Sequence, residues 1–390
     1  MHVLRRRRTP FATSCPALPA ARAVVEIHPL ESRRLFALTL GVDGAGRLHS
    51  VTADDFAQTA DVTLTAQPGN RLTVAEGSTV YGTFKVAPNL AVSLGDTTDG
   101  FVNRLDLNNQ TLQSNVRVTL GDTGGLNQFR LTTSPGGEGT LDGNYTVRGG
   151  DTGSEFLVFG DFGQTAPRTI NVTGNVRVDA GGGGQDPDSG PPDAVATVGT
   201  GPNTSFLNVG RNLDVRGSTV LALSGSVGGN LSSDSADKAV GQLVILGNFG
   251  RTLDVGGNVR VATGGEGDDV FVQGISVGGN LDLASNGGAD TISVTTDEDA
   301  TKPVPTDAPT RVGGNVRIDA GAGNDSVLVD ALRARHADVL LGAGDDSFRF
   351  GDDADVDLAG LLVDGGAGTD TYSPGAGNAF NFRVRIVDVP

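Results

Sequence analysis

The chain repeats itself. NVRVTLGDTGGLNQFRL from Asn115, NYTVRGGDTGSEFLVF from Asn144, NVRVATGGEGDDVFV from Asn258, NLDLASNGGADTISV from Asn280 and NVRIDAGAGNDSVLV from Asn315 are versions of one unit. An Asn, usually after Gly, opens a short alternating strand; a glycine-rich turn of the form G-x-G-x-D follows; a second alternating strand leaves it. DVLLGAGDDSFRF from Asp338 and LLVDGGAGTDTYS from Leu361 keep the turn without the opening Asn. Taking the turn acids as Asp269, Asp290, Asp325, Asp346 and Asp370, the steps are 21, 35, 21 and 24 residues, and the long step holds the Pro/Asp/Thr-rich insertion Thr296–Thr310. Two strands of about five residues cannot bury a face alone, but stacked rung on rung they form long parallel sheets. The expected fold is therefore all-β, a parallel β-helix (β-solenoid) with rungs of about 21 residues.

Alternation says which side chains face inward. In Val316-Arg317-Ile318-Asp319 the apolar pair points to the core and the charged pair to solvent, and Ser347-Phe348-Arg349-Phe350 behaves likewise. The Gly-Asn steps at 257–258, 279–280 and 314–315 supply residues tolerant of positive φ at a corner, and stacked Asn amides can bond from rung to rung as an asparagine ladder. In the middle of the chain, Asn212, Asn230 and Asn248 recur every 18 residues without the acidic turn. Gln185–Val198 reads as a loop grafted onto the rung that starts at Asn175.

The expected organisation has three parts: a disordered export or sorting segment over 1–36, an N-terminal cap or irregular first rungs over 37–90, and the solenoid over 91–390. The solenoid carries its acidic turns over about 258–374 and ends in a closing strand over 380–389, where FNFRVRIVDV alternates strictly.

Composition agrees with a narrow, helix-poor core: 59 Gly, no Trp and 5% aromatic residues. The acids comprise 39 Asp against 7 Glu, and the bases 26 Arg against 3 Lys. The net charge is −17, while residues 1–35 hold seven Arg against Glu26 and Glu31, so the rest of the chain is more acidic than the whole. Such a body disfavours nucleic acid and attracts divalent cations. The single Cys15 excludes an intramolecular disulfide, and no apolar stretch approaches the ~18 residues of a membrane span.

Two resemblances add to this reading. HPLESRRLF at 28–36 resembles the short LEPR-type segment near the N-terminus of large bacterial surface proteins; Glu31, Arg33 and Leu35 match, while Ser32 and Phe36 depart. That resemblance implies export or surface display. GGEGDDVFV at 264–272, LGAGDDSFRF at 341–350 and GGAGTDTYS at 365–373 resemble the nonapeptide GGxGxDxUx of hemolysin-type (RTX) calcium-binding proteins. Here the motif occurs once per rung instead of in tandem, and Asn286 replaces a Gly before Asp290. On this resemblance the metal residues would be Asp269, Asp325, Asp346 and Asp370, and less closely Asp290, with Ca²⁺ as the cofactor; Asp268 and Asp345, which double the acid in two of the turns and raise the local charge, complete the candidate set. In the earlier turns Asn127 and Glu155 take the aspartate's place, so that edge is expected to bind weakly or not at all.

Electrostatics points the same way. Rungs ~4.8 Å apart would set ionised Asp against ionised Asp with roughly 3 to 4 kcal/mol of repulsion per pair at an effective dielectric of 20, and a hard cation with oxygen ligands reverses the sign. The alternative is that the side chains splay into water and bond only the turn backbone. The expected function is an exported, extracellular or cell-surface solenoid with calcium-binding turns, structural or adhesive, whose partners are calcium ions and cell-surface polysaccharide or other surface proteins. Calcium would act as its folding trigger outside the cell.

The alternatives are a polysaccharide-active enzyme on the same scaffold and a self-assembling filament subunit. Catalysis is disfavoured because no Gly-His-Gly or Arg-x-Lys pattern occurs and only Tyr81, Tyr145 and Tyr372 could serve as sugar platforms. His336 reads as a solvated side chain among arginines.

Overall fold

The computed structural model describes residues 38–389 except 54–60, 96–101, 122–125, 151–153, 161–165, 181–193, 198–204, 239, 248–252, 297–308 and 379–381. The LEPR-like segment and Cys15 lie outside the described residues, as do most of both insertions and Asn248. Of the segment read as a grafted loop at 185–198, Ala194–Thr197 is a strand that pairs in parallel with Ser154–Phe159 and Val220–Leu223. Among the described residues there is no helix.

The chain coils as a parallel β-solenoid. Through Val312 each rung has three strands, where the sequence suggested two. The rung of Asn280 shows the plan: Ser276–Val277, a Gly-Gly-Asn corner, Leu281–Ala284, the acidic turn, then Thr291–Thr295. The additional strand, first in each rung, is the two-to-five-residue stretch ahead of the corner, mostly too short to show alternation in the sequence. These strands stack into three sheets, represented in the next rung by Thr310–Val312, Asn315–Asp319 and Ser326–Arg333. From Ser326 the rung simplifies to two strands. Ser326–Arg333 runs round a corner and pairs with both Thr291–Thr295 and Thr310–Val312. It is followed by the longer Ser347–Asp357, which pairs with it on both sides of the corner.

The rung length depends on how much chain each turn carries. Successive corner asparagines are 18 residues apart from Asn212 to Asn230 and 37 from Asn175 to Asn212, and 21 residues separate Asn315 from its paired His336. The N-terminal part is built differently: Leu38–Val42 pairs antiparallel with Arg47–Ala53, and Val62–Gln67, Arg71–Glu76 and Thr79–Ser93 form an antiparallel meander. The second half of Thr79–Ser93 then pairs in parallel with Asn115–Thr119, where the regular stacking begins.

The core is a set of apolar columns. Val259, Leu281, Val316, Ala337 and Leu361 stack in register, as do Val261, Leu283, Ile318, Val339 and Val363, all buried. Burying each Val, Leu or Ile side chain contributes ~1.5–3 kcal/mol, and branched side chains fill the narrow interior without the bulk of Trp. Near the C-terminal end aromatic rings take over, with Phe348 stacked on Tyr372 at a centroid distance of 6.0 Å and edge-on to Phe350 at 5.1 Å. As alternation requires, Arg317 and Arg349 face outward. The terminal Arg383–Val387 pairs only with Gly360–Ala367, so it completes that sheet but leaves its own outer edge without a partner strand among the described residues.

The asparagine ladder is present at the corner before the second sheet. Each Asn Oδ1 accepts the main-chain N–H of the next Asn along the chain, as from Asn258 to Asn230 and from Asn280 to Asn258, both at 2.8 Å. The ladder steps from Asn230 directly to Asn258 and continues to Asn315, whose main-chain N–H donates to Asn280 Oδ1 at 2.9 Å. His336 occupies the next place, half-exposed, with its ring Nε2 3.0 Å from Asp338 Oδ1.

Candidate cation-binding edge

The acidic turns lie at the corner between the second and third sheets. Their backbone needs glycine at two places. The first is Asn286, Gly321, Gly342 and Gly366, with φ of 64°, 96°, 107° and 83°; the second is Gly288, Gly323, Gly344 and Gly368, with φ of 104°, 138°, 142° and 146°. Asn is one of the few side chains that tolerates the first place, which explains the departure at Asn286. The second place is also packed backbone on backbone, since a Cβ on Gly344 would fall onto the carbonyl oxygen of Gly323 and one on Gly323 onto that of Gly288.

Two residues past the second glycine comes the aspartate. Asp268, Asp290, Asp325, Asp346 and Asp370 form one column, each no more than 3% exposed. Their carboxylates do not splay into water. Each Oδ1 accepts the main-chain N–H of the aspartate one rung earlier: Asp268 N–H to Asp290 at 2.7 Å, Asp290 to Asp325 at 2.8 Å, Asp325 to Asp346 at 2.8 Å and Asp346 to Asp370 at 3.0 Å. Gln242 heads the column, its N–H donating to Asp268 Oδ1 at 2.7 Å. The other oxygen, Oδ2, is buried in all five residues and has no hydrogen-bond partner.

That arrangement raises the carboxyl pKa values. Asp290 is pushed up to about 7 and Asp325 to about 6, chiefly by burial; backbone hydrogen bonds pull down, and neighbouring carboxylates of the column push further up. Asp268 and Asp346 are raised for the same leading reason. The carboxylates make a row and not a ring, and no group of three or more His, Cys, Asp or Glu gathers as a metal site among the described residues.

The remaining candidates sit beside the column. The sequence alignment put Asp269 in register with Asp290; the structure puts Asp268 there, and Asp269 begins the next strand, exposed and paired with Thr291. The reason is local. The turn at 263–268 has no positive φ at Gly265 or Gly267, and Glu266 lies under Gly288, so counting glycines misjudges the register by one residue. Asp345 is exposed and belongs to an outer ladder, in which its N–H donates to Asn324 Oδ1 and its Oδ1 accepts from Thr369 N–H, each at 2.9 Å. Asn127 and Glu155 are paired in register with each other in the early rungs. Gln242 escaped notice in the sequence because no glycine turn precedes it, and only strand register places it in the column.

A groove beside the insertions at 185–198 and 296–310 that gathered two inward carboxylates and a base would favour an enzyme, and those segments lie largely outside the described residues. No family model, curated protein or solved structure matches the chain. The fold and this edge define it as a parallel β-solenoid with a buried aspartate ladder.

Proposed function

We propose that the chain is an exported, surface-located β-solenoid with a structural or adhesive role, and that its aspartate column takes up Ca²⁺ between successive rungs. The observation that supports this is the row of buried, unpartnered Oδ2 atoms on Asp268, Asp290, Asp325, Asp346 and Asp370. An ionised carboxylate withdrawn from water with one oxygen unsatisfied is costly, and it is relieved either by a proton or by a cation. Carboxylates one rung apart, at ~4.8 Å, leave a midpoint ~2.4 Å from each, within the distance Ca²⁺ requires of oxygen ligands. The RTX-like turn sequence supports the same ion. Asp345, exposed next to the column, adds negative charge to its outer side, as does Asp269.

On this reading calcium is the folding trigger. Where the ion is scarce the like charges of the column oppose stacking, and where it is abundant the C-terminal rungs close. The test is circular dichroism and thermal melting with calcium and with chelator, joined to a calorimetric calcium titration. Calcium uptake with a rise in melting temperature, both lost in Asp290→Asn/Asp325→Asn, is the expected result. An unchanged melt and no heat of binding would leave the column as a protonated structural ladder.

A further inference from the structure

A second surface carries its own chemistry, on the corner between the first and second sheets. The corner is floored by main chain, because Gly210, Gly228, Gly256, Gly278 and Gly313 stack with each Cα above the carbonyl of the rung before. Beside this glycine column lies a groove, with a volume of about 680 Å³ at Gly278 and Gly313 and about 460 Å³ at Gly210, Gly228 and Gly256. The two stretches lie on consecutive rungs, since Asp254 pairs with Ser276.

One wall is the outward column of the first sheet. It runs Asn171, Asn208, Ser226, Asp254, Ser276, Arg311 and Arg333 in register, a span of six rung steps and ~29 Å at ~4.8 Å per step. Its lower part is a neutral polar row in which Asn208 Nδ2 donates to Asn171 Oδ1 and Ser226 Oγ to Asn208 Oδ1, both at 2.9 Å. Its upper part is cationic: Arg311, Arg333 and Arg335 all line the groove. Arg311 and Arg333 stand directly opposite on neighbouring strands, an unfavourable placement for like charges. Arg333 is held by Asp355, whose two carboxylate oxygens accept from its Nη2 at 3.1 and 2.8 Å. The exposed side chains of Arg311 and Arg335 form no ion pair or hydrogen bond with any described residue.

We propose that this groove binds a linear, sparsely carboxylated polysaccharide, with a carboxylate seated between Arg311 and Arg335 and sugar hydroxyls along Asn171, Asn208 and Ser226. A periodic polymer suits a periodic surface, since an extended glycan advances by close to one rung spacing per sugar. Two features exclude a uniformly charged polyanion such as nucleic acid: Asp254 and Asp357 interrupt the wall, and the whole chain carries −17. The groove has no aromatic platform, so binding is carried by charge and hydrogen bonds and weakens as salt rises. This inference rests on the adhesive reading above and is independent of calcium.

The experiment is calorimetry at low ionic strength with calcium present, using a hyaluronan octasaccharide and an unsulfated chondroitin octasaccharide, each with a carboxylate on alternate sugars, neutral dextran and single-stranded DNA. Binding of the two carboxylated glycans, absence of binding to dextran, and a loss of about tenfold for each of Arg311→Ala and Arg335→Ala is the expected result. Arg311→Lys should keep most of the affinity. Both arginines are exposed, so circular dichroism of the variants should match the parent. Failure of both carboxylated glycans to bind, unchanged affinity in the double variant, or DNA binding as tight as glycan binding would overturn the proposal. Asp325→Asn separates the two readings, because it removes a carboxylate from the aspartate column and leaves the groove intact.

Discussion

The main-chain N–H of Asp325 donates to Oδ1 of Asp346, 21 positions later in the chain, at 2.8 Å. The same bond recurs along the column, so each carboxylate has one oxygen committed to the fold and one left over. This division makes the structural and ionic roles of the aspartates separable by substitution.

Asp325→Asn keeps the amide-accepting oxygen and removes the charge. In chelator its urea midpoint should equal or exceed the parent's, whereas the stabilisation gained on adding calcium should shrink. Asp325→Ala removes the acceptor as well, orphans the buried N–H of Asp290, and should cost about 1–3 kcal/mol in both conditions. Equal losses for the two variants would contradict the proposed division.

Protons should substitute for the cation. Asp290 at about 7 and Asp325 at about 6 lie above their ordinary value of 3.8, so the folded form binds these protons more tightly than the unfolded chain. Their contribution is full below about pH 4 and is lost as pH rises through 6 to 7. In chelator, stability should therefore fall between pH 5 and pH 8. Denaturant melts across that window check the sign, and saturating calcium should flatten the slope.

Glycines in the turns should divide sharply by position. Gly344 has φ of 142° and no space for a Cβ, so Gly344→Ala should cost at least about 1–3 kcal/mol from backbone strain alone. Gly265, with nothing within 4 Å of a built Cβ and no positive φ, should accept alanine without measurable loss. Thermal melts of the two variants decide this.

At the opposite corner, Asn258 accepts the N–H of Asn280 and donates its own to Asn230. Asn258→Ala should cost about 0.5–1.5 kcal/mol, because water at this exposed corner can partly replace the lost acceptor. Hydrogen exchange at the Asn280 amide should quicken in step.

Much of this was legible in the sequence. Alternation in Val316–Asp319 and Ser347–Phe350 oriented the strands, and the repeated Gly-Asn steps disclosed the asparagine ladder. What escaped had physical causes. Ser276–Val277 and Thr310–Val312 are too short for alternation to show, so the first sheet was invisible. Asp268 and Asp269 are adjacent carboxylates after near-identical glycine runs, and only the absence of positive φ at Gly265 and Gly267 sets their register. The burial of the aspartates was hidden too, since an acidic residue in a turn ordinarily faces water and only stacking rungs enclose it. The arginine wall is assembled across rungs from residues 22 and 35 positions apart, a pattern that no local motif reveals.

The two ladders run in opposite senses. At the acidic corner the amide belongs to the earlier coil and the side-chain oxygen to the later one; at the asparagine corner the roles are exchanged. A cut at any of the three seams between the rung of Asn230 and that of Asn315 thus exposes one donor and one acceptor on either half, and each of these seams has the same polarity as the next. The rod is modular as a consequence. A coil can be excised or duplicated whole and the faces brought together still match, which makes overall length adjustable without redesign of the joint.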